Sequence, residues 1–158
     1  MDLKNKPMSF YISEFSEKHL DEVSELETLC FSNPISKNNL KALLLEGIGK
    51  GFVSVDTECG NIAAYGGVII AGGEAQILNI ATHPNYRRLG HGRIIVESIL
   101  EYSLENGAEY VTLEVRENNI AAIALYGKLG FYPVGRIKGY YKTPTEDALI
   151  LKKELCHL

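Results

Sequence analysis

The chain has 158 residues, 46% of them apolar, with 16 lysines and arginines against 20 aspartates and glutamates. That length and apolar content suit one domain with a core of ordinary size, and a net charge of −4 gives no reason to expect nucleic-acid binding, which shows as a basic patch or a high pI. No apolar run approaches the roughly 20 residues that span a bilayer, and Met1 to Ser9 is polar with no signal-peptide core behind it, so the chain reads as soluble and cytoplasmic. Cys30, Cys59 and Cys156 stand far apart and outside CxxC spacing, and the four histidines are equally scattered, so neither disulfides nor a metal are expected.

Residues 1–8 read as a short mobile leader and 9–156 as a single domain. Phe10-Tyr11-Ile12 is strand-like. Leu20, Val23, Leu26, Leu29 and Cys30 recur at three and four, which predicts an amphipathic helix over 17–30. Pro34 breaks helicity in the following loop, and Ser36 caps a second helix to about Glu46. Gly47, Gly49 and Gly51 punctuate a turn, after which Phe52 to Asp56, Ile62 to Ala71 and Ala75 to Thr82 read as three strands of an antiparallel meander.

A helix from about Gly90 to Glu105 follows, stopped by Asn106-Gly107, and then a strand over Tyr110 to Arg116. Asn118 and Asn119 are candidate caps for a helix over Ala121 to Leu129. Strands over Phe131 to Lys138 and Ala148 to Leu155 finish the chain around a loop containing Tyr140, Tyr141 and Pro144. The pattern predicts an α/β (α+β) fold with a mixed, largely antiparallel sheet and helices on both faces.

The stretch with most chemistry is 77–92, where an apolar strand runs into Arg87-Arg-Leu-Gly-His-Gly92 at a helix start. The first turn of a helix leaves backbone N–H groups without partners, and glycines let a phosphate approach that backbone; Arg87, Arg88 and Arg93 add positive charge. Spacing alone allows an anion cradle or a glycine-bearing turn with solvated arginines. Gly47-Ile-Gly-Lys-Gly has neither P-loop spacing nor a dinucleotide-fold context.

Arg87-Arg-Leu-Gly-His-Gly92 resembles the Q/R-x-x-G-x-G/A acetyl-CoA motif of the GNAT N-acetyltransferase superfamily. Leu78-Asn-Ile-Ala-Thr-His-Pro84, Leu113-Glu-Val-Arg-Glu-Asn-Asn119, Ala121 through Phe131, and Tyr140-Tyr141 through Ile150 resemble, in order, blocks of its bacterial ribosomal-protein-alanine N-acetyltransferase (RimI-type) branch. The resemblance spans about 8–155 and implies a GNAT fold with acetyl-CoA as cofactor. It implies a diphosphate on the backbone of Arg88, Leu89, Gly90, His91, Gly92 and Arg93, and a pantetheine arm along Ile80, Ala81 and Thr82.

The resemblance also makes Glu114 the general base and Tyr126 the general acid, with Asn119 touching CoA. On pattern alone, a Glu between Leu113 and Val115 is usually the solvent side of a strand, a Tyr on an alanine-rich helix usually packing, and Asn119 first of all a cap. His91 is expected to face the loop and His83 to sit idle in a turn. Phe31, Pro34 and Ile35, with Tyr140 and Tyr141, are expected to flank the acceptor, as such loops do in related N-terminal acetyltransferases. The branch often carries Pro-Trp-Ser where this chain has Pro34-Ile-Ser36 and no tryptophan.

The resemblance implies transfer of acetyl from acetyl-CoA to the N-terminal α-amino group of a protein, an N-terminal alanine of a ribosomal protein, by direct attack in a ternary complex on a monomer or weak homodimer. The alternatives are a small-amine acetyltransferase, acting on a polyamine or aminoglycoside, and a non-catalytic CoA-binding sensor.

Overall fold

The strand-forming segments between Gly49 and Thr82 are joined by short turns and pair with their chain neighbours. The computed structural model describes residues 9–156, and the leader expected over 1–8 lies outside them. The strands are β1 (Phe10–Glu14), β2 (Gly49–Asp56), β3 (Ile62–Ala71), β4 (Glu74–Thr82), β5 (Tyr110–Arg116), β6 (Tyr132–Lys142) and β7 (Thr145–Glu154). They form one sheet in the order β1-β2-β3-β4-β5-β7-β6. All pairs are antiparallel except β4 with β5.

The helices α1 (Leu20–Cys30), α2 (Lys37–Leu44), α3 (His91–Glu105) and α4 (Ile120–Lys128) cover both faces. Leu20, Val23 and Leu26 of α1 and Leu40 and Leu44 of α2 bury against Val53, Val55, Tyr65 and Ala81. Ile95, Val96 and Ile99 of α3 and Tyr126 of α4 bury on the other face against Ala64, Val68, Ile77 and Leu113. Alternation within each strand divides its side chains between these two cores. Ser36 caps α2, its Oγ accepting the Asn39 N–H at 3.2 Å.

β2, β6 and β7 are longer than in the sequence reading. β2 starts at Gly49, because Gly49, Lys50 and Gly51 pair with Ile69, Val68 and Gly67 of β3 and are held extended. β6 runs on to Lys142, so Tyr140 and Tyr141 lie on a strand and the connection shrinks to Thr143-Pro144. Where the sequence reading ended the strand, β6 bulges: Ile137 pairs with Ala148 and Tyr141 with Glu146, so β6 carries two extra residues there. Gly139 takes φ 63°, and its N–H donates to Asp147 Oδ1 at 2.8 Å.

Two irregularities at β4 position the site. Gly66 of β3 pairs with Ile80 and Val68 with Ile77, so two steps on β3 match three on β4 and a bulge falls at Leu78-Asn79. On its other side β4 pairs with β5 only at Glu74, Ala75 and Gln76. Beyond Gln76 the strands part.

Gly66 lets α3 approach the sheet. A methyl there would lie 2.5 Å from Ile95 Cγ2 and 2.6 Å from Ile80 Cδ1. Gly66→Ala is expected to destabilise the fold by about 1–3 kcal/mol, the usual range for overpacking, as measured by urea denaturation. An unchanged midpoint would show that this seam is slack.

Candidate active site

The gap between β4 and β5 is a cleft of about 250 Å³. Its walls are Ile77, Leu78, Asn79 and Ile80 of β4, and Leu113, Glu114, Val115 and Arg116 of β5. Asn119, Ala122 and Tyr126 close one end, and Cys30, Phe31, Ser32, Asn33 and Tyr141 the other. Because Val111, Leu113 and Val115 point into the α3/α4 core, Glu114 and Arg116 point to the opposite face. Tyr126 reaches the same cleft from the α4 side, so the opening joins the two faces of the sheet.

Tyr126 is only 8% exposed, and burial, reinforced by Tyr141, pushes its phenol up to about 12. It holds its proton throughout the neutral range. Glu114 is half-buried and accepts from Gln76 Nε2 at 3.4 Å. Tyr141 is pushed up to about 12 by burial and by Tyr140, Glu114 and Glu146, with Arg116 opposing. Arg116 braces this end: it donates to Thr143 O (3.1 Å), Pro144 O (3.0 Å), Ser32 Oγ (3.1 Å) and Glu146 Oε1 (3.2 Å), and lies 4.3 Å from the Tyr141 ring centre.

At the start of α3, Arg88 takes φ 65° and Gly90 φ 87°, a left-handed conformation in which glycine carries no penalty. Gly90 is the N-cap, so no side chain occupies the first-turn N–H groups of α3. A Cβ on Gly90 would meet nothing within 4 Å, and one on Gly92 only ordinary contacts with Thr82 and Leu125. The cradle is therefore open and lined by donors, which fits a diphosphate. Arg93 is paired with Glu97 at 2.8 Å, and Arg87 donates to Thr82 O at 3.3 Å. Arg88 makes no ion pair among the described residues and stands exposed.

His91 does not face the loop. It is the first residue of α3, 1% exposed, with Nδ1 2.8 Å from Ser54 Oγ of β2 and its ring 4.4 Å from that of Phe10 and 5.7 Å from that of Tyr86. A helical Cβ leans towards the N-terminus, and at the first position that direction runs onto the sheet. Its Nε2 is buried with no hydrogen-bond partner among the described residues. His83 accepts the Asn85 N–H at 3.1 Å, capping the short turn over Pro84–Tyr86.

The other expected residues divide. Ile80 lines the cleft, Ala81 is buried in the α1/α2 core, and the Thr82 carbonyl is engaged by Arg87 and, at 3.5 Å, by the Cys30 thiol. Asn119 caps α4 through the Ala122 N–H at 3.3 Å and also lines the cleft. Phe31 and Tyr141 line it, whereas Pro34, Ile35 and Tyr140 do not. Sequence reasoning passed over Leu78, Asn79, Ser32, Asn33 and Arg116. Arg116 was accessible to it, two residues from Glu114 and so on the same strand face.

Residues 14–131 match the acetyltransferase (GNAT) family, and the chain belongs to that family. It is an acetyl-CoA-dependent N-acetyltransferase. It is 37% identical, over 132 residues covering 84% of this chain and 87% of the relative, to the putative ribosomal protein bS18-alanine N-acetyltransferase of Bacillus subtilis (strain 168). The crystal structure of the ribosomal-protein-S18-alanine N-acetyltransferase from Escherichia coli is similar at a TM-score of 0.85 and 30% identity, covering 95% of this chain and 96% of that one. Arabidopsis thaliana NAA60 in complex with acetyl-CoA has the same fold, with a TM-score of 0.85 at 16% identity over 93% of this chain and 99% of that one.

Burial holds the His91 pKa below the ordinary histidine value, with Asp56 opposing. Between the folded and unfolded values the unfolded chain binds more protons, so stability falls as pH falls through and below about 6.5. His19 shifts in the same direction, mainly through burial, and cancels when wild type is compared with His91→Asn. The stability advantage of wild type over His91→Asn should shrink from pH 7.5 to 5.5 in urea titrations. A constant difference would place no titration at His91.

Proposed function

We propose that the chain transfers the acetyl group of acetyl-CoA to the α-amino group of a protein, the N-terminal alanine of a ribosomal protein, by direct attack in a ternary complex. The observation that carries this reading is that Glu114 and Tyr126 enter one cleft from opposite faces of the sheet. The names of the bacterial relatives supply the acceptor.

Acetyl-CoA supplies the acetyl group as a thioester. The N–H groups of residues 88–93 hold the diphosphate, Asn119 touches the cofactor, and the β4 backbone from Ile80 to Thr82 guides the arm and polarises the carbonyl. Glu114 takes a proton from the amine as it attacks. Tyr126, protonated because it is buried, gives its proton to the departing sulfur. Phe31 and Tyr141 flank the acceptor at the cleft, with Pro34, Ile35 and Tyr140 farther out on the same two segments, which Arg116 holds together through Ser32 and Thr143.

An α-amine suits a single carboxylate base better than a lysine does. Ordinary pKa values of roughly 7.8 and 10.4 differ by about 2.6 units, so neutralising a lysine at the same pH costs about 3.5 kcal/mol more.

Glu114→Gln and Tyr126→Phe should each lower kcat by roughly 10²–10⁴-fold, the usual contribution of a positioned acid or base, with acetyl-CoA binding retained. The acceptor is tested with free N-terminal peptides, including alanine-first ribosomal sequences, beside acetyl-blocked lysine peptides and polyamines. Transfer to the alanine-first peptides is expected; transfer to polyamines alone would overturn the acceptor, and full activity in both variants would overturn the mechanism.

A further inference from the structure

Glu27 stands in the last turns of α1 with no accessible surface. No lysine, arginine or histidine pairs with it among the described residues. Its carboxyl instead accepts from three donor groups on three segments. Tyr65 Oη of β3 donates to Oε1; Asn79 Nδ2 in the β4 bulge donates to Oε1 at 2.8 Å and to Oε2 at 3.2 Å; the Ile35 N–H donates to Oε2 at 3.3 Å. Removing a carboxyl from water without a cation is costly, and a plain hydrophobe would close a helix–sheet seam more cheaply.

The partners show what the carboxyl connects. Asn79 belongs to the bulge and lines the cleft on the cofactor strand. Ile35 ends the α1–α2 loop, whose first residues Phe31, Ser32 and Asn33 line the cleft opposite. The direct link between Cys30 and β4 is a thiol donating to Thr82 O at 3.5 Å, a weak bond. One buried carboxyl therefore ties the β4 wall of the cleft to the α1–α2 loop that closes its end. We propose that Glu27 is a positioning residue that sets the β4 bulge and the α1–α2 loop at a fixed separation, so that cofactor and acceptor are presented to each other in register. The acceptor half of this role rests on the function proposed above.

All of these bonds point into the carboxyl, so an amide of the same size introduces two N–H groups where donors already converge. Tyr65 can turn its hydroxyl to accept, but the Ile35 N–H cannot. Glu27→Gln should therefore weaken CoA binding, read by calorimetry, and raise the KM for the acceptor peptide, each by about tenfold, with kcat changed less than about threefold. Tyr65→Phe cuts the same network on the strand that forms neither wall. It should lower the thermal midpoint yet leave both constants within about twofold of wild type.

If Glu27→Gln does not fold, Asn79→Ser removes the bulge arm alone and should weaken CoA binding without moving the peptide KM. Unchanged constants in Glu27→Gln, unchanged CoA binding in Asn79→Ser, or an equal kinetic effect in Tyr65→Phe would overturn the proposal. CoA binding needs no acceptor. A wild-type enzyme that binds CoA yet ignores every peptide would therefore count against the acceptor reading and leave the Glu27 comparison readable.

Discussion

The parting of β4 from β5 is the constraint on which the rest of this molecule depends. Two parallel strands that remained paired would close the sheet, and its two faces would be separate compartments. Here pairing lasts for three residues, the bulge at Leu78-Asn79 turns β4 away, and a passage opens through the sheet. The α3/α4 face carries the donor-lined helix start and Tyr126. The α1/α2 face carries Glu114, Arg116 and the loop that begins at Phe31. A reaction between a large phosphorylated cofactor and a bulky amine needs both partners to approach without colliding, and a hole through a sheet allows approach from opposite sides.

Strand alternation does the rest of the sorting. On β5 the odd positions Val111, Leu113 and Val115 fill a core, which leaves Thr112, Glu114 and Arg116 facing the other way. One strand thus anchors the sheet and presents a carboxylate beside a guanidinium. The guanidinium is consumed by Glu146, Ser32 and two carbonyls, so it braces the walls, while Glu114 accepts a long bond from Gln76 and lies close enough to Tyr140 and Tyr141 to raise their pKa values.

Elements governed by local pattern were legible in the sequence. β3 and β5 begin and end where alternation places them, and Ser36 and Asn119 cap their helices as short polar side chains do. What escaped depends on partners distant in the chain. Gly49 and Gly51 read as a turn but are strand because β3 holds them. Tyr140 and Tyr141 read as loop with Pro144, yet β6 runs through them across a bulge set by its pairing with β7. His91 looked exposed in a polar motif, and only the sheet beneath α3 explains its burial. Of the cleft, Glu114, Tyr126 and Asn119 were readable, whereas Asn79 and Glu27 gain meaning only when a bulge and a loop 52 and 8 residues from Glu27 meet at its carboxyl.

The bond between His91 and Ser54 has a further consequence. It joins the residue that opens α3 to β2, two strands away from β4, at a point where neither side chain meets water. The glycine-spaced turn is therefore pegged at its downstream end to the oldest part of the meander in chain order, rather than hanging as a loop. A turn held in this way would lose little further conformational entropy on receiving an anion. Under the proposed binding mode, part of the affinity for the cofactor's diphosphate would rest on the His91 ring and Ser54, side chains buried beneath the turn whose backbone N–H groups would meet it.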